Sequence, residues 1–237
     1  MTYIISDLHG RYDRYSAMLE KIKFSDGDTL YNLGDCIDGP EVSECVKLLK
    51  DMMKRKNIIN LQGNHELWAL PFIRPLKKID FSAYGILGYR RYPFKNSYAR
   101  LDDWLNVGGM TTLEGLVNIP RNEAAGIIDY IDSWGFHRDI TVCQNRYILS
   151  HAGLHEPDTI LEKLFYIGAE EWTLSKGLDY RKRYFPEHEN IYLVTGHVPT
   201  DGKILRKNNH IVVDTGTIFN NPTGCLCLET DEEFYVR

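Results

Sequence analysis

Five short segments, Asp7-Leu8-His9, Gly34-Asp35, Gly63-Asn64-His65-Glu66, His151-Ala152-Gly153 and Gly196-His197, carry the residues with chemistry to offer. Asp7 and His9 lie two apart, so an extended backbone aims both side chains the same way. Asp35 follows 28 residues after Asp7, Asn64 a further 29, and His151 and His197 come later. Carboxylate oxygens and imidazole nitrogens suit intermediate divalent ions such as manganese, iron, zinc or cobalt. The donors are as many as two adjacent cations need. Charge economy divides them: Asp7, His9 and Asp35 for one ion, Asn64, His151 and His197 for the other. Asp35, with two oxygens, is the natural bridge. Two carboxylates against two dications leave about +2, a charge that attracts phosphate. None of the segments is specific alone, because Asp-x-His is commonly a surface turn and His-Ala-Gly a loop. The expectation rests on the whole ordered set.

The elements that must position these residues read as repeated strand, turn and helix. An apolar strand at Tyr3–Ser6 ends at Asp7, and Tyr15, Met18, Leu19 and Ile22 then recur near helical spacing. A second strand at Thr29–Leu33 ends at Gly34-Asp35, followed by a helix from about Glu41 to Lys54. A third at Asn57–Leu61 leads to Gly63-Asn64-His65, with a helix from about Glu66. This order predicts a largely parallel α/β arrangement, in which ligands bind beyond the carboxyl ends of the strands. Residues 70 to 145 break the pattern with prolines and many aromatics, and predict a helical lid or insertion with helices near Asp102–Asn106 and Asn122–Ser133. Its aromatics fit a small satellite core better than a stacking surface. Strands at Arg146–Leu149 and Ile191–Thr195 lead to His151 and His197. Ile211–Asp214, Cys225–Leu228 and Glu233–Val236 read as antiparallel strands finishing a second sheet.

The chain of 237 residues, 43% hydrophobic and 26% charged, suits one large globular domain. It holds no apolar run long enough to span a membrane. A net charge of −5 argues against a nucleic-acid polymer as partner. Five scattered cysteines without an export signal predict reduced thiols and a cytoplasmic location. Cys225 and Cys227 lack a second pair to complete a metal site, and Asp214-Thr215-Gly216 occurs once where an aspartic protease needs two copies.

Ser6-Asp7-Leu8-His9-Gly10, Gly34-Asp35-Cys36-Ile37-Asp38-Gly39, Gly63-Asn64-His65-Glu66, Ser150-His151-Ala152-Gly153, Gly196-His197-Val198-Pro199 and Val213-Asp214-Thr215-Gly216 together resemble the metallophosphoesterase (calcineurin-like) superfamily. Within it the chain is similar to the bacterial serine/threonine phosphatase branch and to diadenosine tetraphosphate hydrolases. Trp104-Leu105-Asn106-Val107-Gly108-Gly109 with Thr112-Leu113 resembles a segment preceding the lid helices of bacterial members. The resemblance runs end to end. It implies an α+β sandwich of two mixed sheets flanked by helices, one domain over 1–237 with the insertion at 70–145, and two divalent ions, foremost manganese, with iron or zinc as alternatives.

Two such metals, about 3.5–4 Å apart, activate a water for in-line attack on phosphorus. An alkoxide leaving group then needs a proton. His65, beside Asn64, is placed to give it, and Asp38 to hold that imidazole. The family resemblance assigns the same pair. The family's second motif continues Asp-Arg-Gly, its arginine clamping substrate phosphate, whereas Asp38 is followed here by Gly39-Pro40. A second family arginine usually follows a tryptophan after the His-Ala-Gly segment, yet Trp172-Thr173-Leu174-Ser175 has none. Arg11, Arg181 and Arg183 are the candidate replacements. The expected reaction is hydrolysis of phosphomonoesters on a phosphorylated protein or small molecule. The alternatives are a dinucleoside polyphosphate hydrolase and a phospho-ligand scaffold without turnover. The sequence leaves the oligomeric state open.

Overall fold

The computed structural model describes residues 1–79, 89, 101–152 and 188–237. Strands β1 (Thr2–Ile5), β2 (Thr29–Asn32) and β3 (Ile58–Asn60) alternate with helices α1 (Tyr12–Lys21), α2 (Val42–Lys54) and α3 (Asn64–Ile73). The three strands are parallel neighbours, with Ile4 opposite Tyr31 and Tyr31 opposite Ile59. Helix α4 (Leu101–Trp104) passes through a π-helical stretch, Leu105–Gly109, into α5 (Met110–Val117), and α6 (Arg121–Asp132) follows. The remaining strands are β4 (His137–Val142), β5 (Asn145–Ser150), β6 (Ile191–Thr195), β7 (Leu205–Lys207), β8 (His210–Val212), β9 (Thr223–Cys227) and β10 (Glu233–Val236). They form two mixed sheets, ordered β10-β9-β1-β2-β3 and β4-β5-β6-β8-β7.

The sandwich follows from the alternation of side chains along each strand. Tyr3 and Ile5 of β1 face the helices, packing with Met18, Leu48 and Leu113. Ile4, one residue between them, faces the opposite sheet with Leu33, Leu149, Val194 and Leu226. A strand with apolar residues on both faces reads as one continuous run and is buried on both sides. Each such side chain taken from water contributes roughly 1.5–3 kcal/mol.

Three features differ from the sequence expectation. β9 and β10 join the first sheet, where β9 pairs antiparallel with β1, while β8 lies parallel to β6 in the second. Every residue of β9 is buried, so its pattern holds no sign of which sheet it enters. β4 lies at the edge of the second sheet within the predicted insertion, and its half-exposed His-Arg-Asp-Ile-Thr-Val run lacks the alternation that marks a strand. Phe72, Tyr89 and Trp104 join the helix-side core itself rather than a satellite. Phe81, Tyr84, Tyr92, Phe94 and Tyr98 lie outside the described residues.

Helices α5 and α6 pack onto α2, sinking Leu113, Leu116, Ile127 and Ile128 into the same core. All five cysteines are free thiols, and Cys225 and Cys227 are buried on the helix side. No helix among the described residues is long and apolar enough to cross a membrane.

Candidate active site

The carboxyl ends of β1, β2, β3, β5 and β6 deliver Asp7, Asp35, Asn64, His151 and His197 to one edge of the sandwich. Cross-links between the sheets hold that edge. The His197 backbone N–H donates to Asp7 Oδ2 at 3.0 Å, and His151 Nδ1 lies 2.9 Å from the Leu33 carbonyl oxygen. Within the first sheet, the Asp7 N–H donates to Gly34 O and the His9 N–H to Asp35 O. Asp7, His9, Asp35, Asp38 and His197 all adopt left-handed φ values between 43° and 65°. Such conformations cost side-chain-bearing residues energy and persist where surrounding structure over-determines them. Five in one pocket is a concentration of strain where the chemistry-bearing side chains meet.

Two sets of ligand atoms cluster there. One atom each of His9, Asp35 and His65 lie within 4.8 Å of one another, as do atoms of Asp35, His151 and His197. Asp35 belongs to both. Its Oδ2 is 3.3 Å from His151 Nε2, and Asn64 Oδ1 is 2.9 Å from that same nitrogen. Asp7 is buried beside these groups, but its Oδ2 is engaged by the Ser6 hydroxyl and the His197 N–H.

Burial sets the charge states. It pushes the Asp7 carboxyl well above its usual range, with the neighbouring Asp214 adding to the rise. Burial also lowers His9 and His197 to about 4, so both imidazoles are neutral and carry a lone pair. It opposes charge on Asp35 too, yet His151 and His65 outweigh it and hold that carboxyl well below its usual range.

His65 stands at the start of α3 with Nδ1 2.8 Å from Asp38 Oδ2. Its backbone N–H donates to Asp35 Oδ1, and its Nε2 faces Asp35 Oδ2 at 3.9 Å. Burial lowers the imidazole pKa, but Asp35 and Asp38 together raise it to about 9.

The structure therefore gathers Asp7, His9, Asp35, Asn64, His151, His197, His65 and Asp38 at one edge. The candidate arginines fare otherwise. The Arg11 guanidinium engages Asp13 through Nε and Nη2 at 2.8 and 2.7 Å and approaches Asn220 Oδ1 with Nη1 at 3.5 Å. Arg181 and Arg183 lie outside the described residues, as does Trp172. At Gly39, a Cβ would stand 1.9 Å from the His9 carbonyl oxygen, so this backbone has no room for any side chain there.

Other residues have parts that sequence reasoning missed. Fully buried Glu66 accepts the N–H groups of Asp35, Cys36 and Gly63, tying the β2 loop to the start of α3. Its place three residues after Gly63 supplies one half of a capping box, and the sequence hid it because glycine lacks the side chain that completes the signature. Trp104 and Thr112 both donate to Asp38, and Asp214, bonded to the Gly216 N–H, is electrostatically linked to Asp7.

Over 80 residues the chain is 35% identical to a symmetrical bis(5'-nucleosyl)-tetraphosphatase of Pasteurella multocida, covering 33% of this chain and 28% of that protein. The match thus spans less than a third of that relative's length. Two solved structures share the fold. One, provisionally assigned as a diadenosine tetraphosphatase, superposes with a TM-score of 0.62 at 17% identity, over 99% of this chain and 92% of that one. The other, a serine/threonine phosphatase from Saccharomyces cerevisiae, gives 0.54 at 13% identity, over 100% of this chain and 80% of the other. Residues 2–215 match the family described as calcineurin-like phosphoesterase, and with nearly the whole chain inside that match, this protein belongs to that family.

Proposed function

We propose that the protein hydrolyses phosphomonoesters on a centre of two divalent cations, with His65 as general acid and Asp38 as its partner. The residues fit such cations on the evidence of their own donor atoms. Asn64 Oδ1 and Asp35 Oδ2 lie 2.9 and 3.3 Å from His151 Nε2, three donor atoms converging where a cation would be held. The Nδ1–H of His151 donates to Leu33 O, which fixes the tautomer and turns the Nε2 lone pair inward. His9 Nδ1 is buried and has no hydrogen-bond partner among the described residues. Asp7, His9 and Asp35 would hold one ion, and Asp35, Asn64, His151 and His197 the other. This mix of carboxylate, amide and imidazole donors suits manganese, iron and zinc alike, and the family resemblance puts manganese first. Bound there, such a pair supplies activation of water and neutralisation of phosphoryl charge.

The chain's own part is to hold and deliver a proton. With Nδ1–H committed to Asp38, His65 carries its second proton on Nε2, which faces the shared carboxylate and hence the reacting centre. As the P–O bond breaks, that proton passes to the leaving oxygen, and the neutral imidazole keeps its bond to Asp38. This pair is the observation that carries the reading. An alkoxide is a poor leaving group without protonation, whereas a nucleoside diphosphate leaves as a stable anion and needs a general acid less. The test is release of inorganic phosphate from O-phosphoserine after reconstitution with manganese, abolished by a chelator. A fully loaded protein that releases none refutes it.

A second reading has its own support. The Pasteurella relative is named as a symmetrical tetraphosphatase, and the steric closure at Gly39 removes the family's phosphate-clamping arginine. On that reading diadenosine tetraphosphate yields two molecules of ADP, which chromatography resolves from ATP plus AMP. A substrate in a soluble cellular compartment suits either reading.

A further inference from the structure

We propose that Trp104 and Thr112, both from the helical insertion, are positioning residues for the proton donor, fixing the Asp38 carboxylate so that His65 Nε2 faces the leaving oxygen. The inference deepens the proposed function and rests on it.

Asp38 is 1% exposed and its carboxylate takes three protein donors. Trp104 Nε1 donates to Oδ2 at 2.8 Å, the oxygen that also takes His65 Nδ1 at 2.8 Å. Thr112 Oγ1 donates to Oδ1 at 2.6 Å. The same hydroxyl accepts the Asp38 backbone N–H at 2.9 Å, so its single proton is directed at the carboxylate. Main chain and side chain of Asp38 are therefore both gripped by one threonine. With its backbone left-handed at φ 63°, Asp38 depends on such contacts to stay in place.

The grip is rigid because Trp104 is itself fixed. Its ring stacks on Phe72 at 5.6 Å and 11°. Gly109 also lies against the ring, where a Cβ would come within 2.3 Å of it. Thr111 Oγ1 bonds both Gly39 O and Gly108 O, fastening the turn to the Asp38 loop. An imidazole can swing about its Cβ bond unless something at Nδ1 is stationary. Without Trp104 and Thr112 the Asp38 carboxylate could rotate, and Nε2 would sweep away from one direction.

A staple that merely joined the insertion to the α2 loop would make a different prediction. Its loss would lower turnover of every substrate alike. Loss of proton-donor aim hurts only substrates whose leaving oxygen needs the proton.

The experiment compares O-phosphoserine, a poor leaving group, with 2,4-dinitrophenyl phosphate, which leaves unprotonated, on the manganese-loaded full chain. Thr112→Val removes the hydroxyl at nearly constant volume, Thr112→Ser restores it, and Trp104→Phe removes the indole N–H. The expected result is a fall in kcat of about tenfold with phosphoserine for Thr112→Val and Trp104→Phe, and of less than about twofold with the dinitrophenyl ester. KM should change little, and Thr112→Ser should recover most of the loss. If Trp104→Phe fails to fold, the threonine pair decides alone. Equal losses on both substrates, or no rescue by serine, overturn the inference and leave the proposed function standing. A wild-type protein inactive on both esters overturns the proposed function and this inference with it.

Discussion

Replacing Gly39 by arginine would restore the family's phosphate clamp on paper, and the geometry predicts that it will instead damage the protein. A Cβ at position 39 would sit 1.9 Å from the His9 carbonyl oxygen, 2.7 Å from its carbon and 3.0 Å from Gly10 Cα. Ordinary contacts between such atoms are about 3.5 Å, so one backbone stretch must withdraw by more than an ångström. Neither is free to do so, because the His9 N–H donates to Asp35 O at 2.9 Å and the Gly10 N–H to Cys36 O at 2.6 Å. Overpacking of this kind costs about 1–3 kcal/mol, and two weakened backbone bonds add about 1 kcal/mol each. The sum, about 3–5 kcal/mol, lowers Tm by roughly 6–20 °C for a chain of this size. The clash arises at Cβ, so Gly39→Ala should suffer nearly as much as Gly39→Arg. Thermal unfolding of both variants, followed by circular dichroism, is the assay. A Gly39→Ala protein melting within about 2 °C of wild type, or a Gly39→Arg protein with a lower KM for phosphoserine, would refute the reasoning.

Asp35→Asn should abolish both cation sites together, since Asp35 belongs to both donor groups; calorimetric titration with manganese that still finds one tight site would contradict the shared bridge. Glu66→Ala should cost about 3 kcal/mol or more in urea unfolding, because three backbone N–H groups lose their acceptor in a dry setting, and a loss under about 1 kcal/mol would show that those groups find other partners. His210, bonded to Thr195 Oγ1, is lowered by burial from the ordinary 6.5 to a pKa of about 4. Between those values the unfolded chain binds a proton that the folded chain refuses, so stability is full above about pH 6.5 and falls by about 3 kcal/mol as pH drops to about 4. His210→Gln should remove that part of the slope in urea midpoints measured across the window, and an unchanged slope would rule out His210 as its source.

The sequence made the site legible where chemistry and topology coincide. Asp7, Asp35 and Asn64 each follow a short apolar strand, and a parallel sheet places such positions at one edge whatever the details of packing. His65 was legible because it neighbours Asn64 on the first turn of a helix. Trp104 and Thr112 were not, because their bonds to Asp38 span 66 and 74 residues, and nothing in an insertion's own pattern says which distant carboxylate it will meet. The sheet membership of β9 was hidden for a related reason. A run of five buried residues fits the middle of either sheet, and the choice is made by which strand lies beside it. The closure at Gly39 was half legible. The sequence displayed a missing arginine, but only the backbone path explains why nothing larger than hydrogen can stand there.

The pairing of β9 with β1 sets an order of assembly. The strand that leads into Asp7 lies between β2 and a segment more than two hundred residues further along the chain. While the protein is being synthesised, one flank of β1 has no hydrogen-bonding neighbour until residues 223–227 have left the ribosome. An unpaired strand edge invites pairing with other chains, and contacts this distant in sequence form slowly. A nascent or prematurely terminated chain would therefore present its open edge to chaperones and to its own copies. The strand that aims Asp7 gains its second neighbour only when β9 arrives.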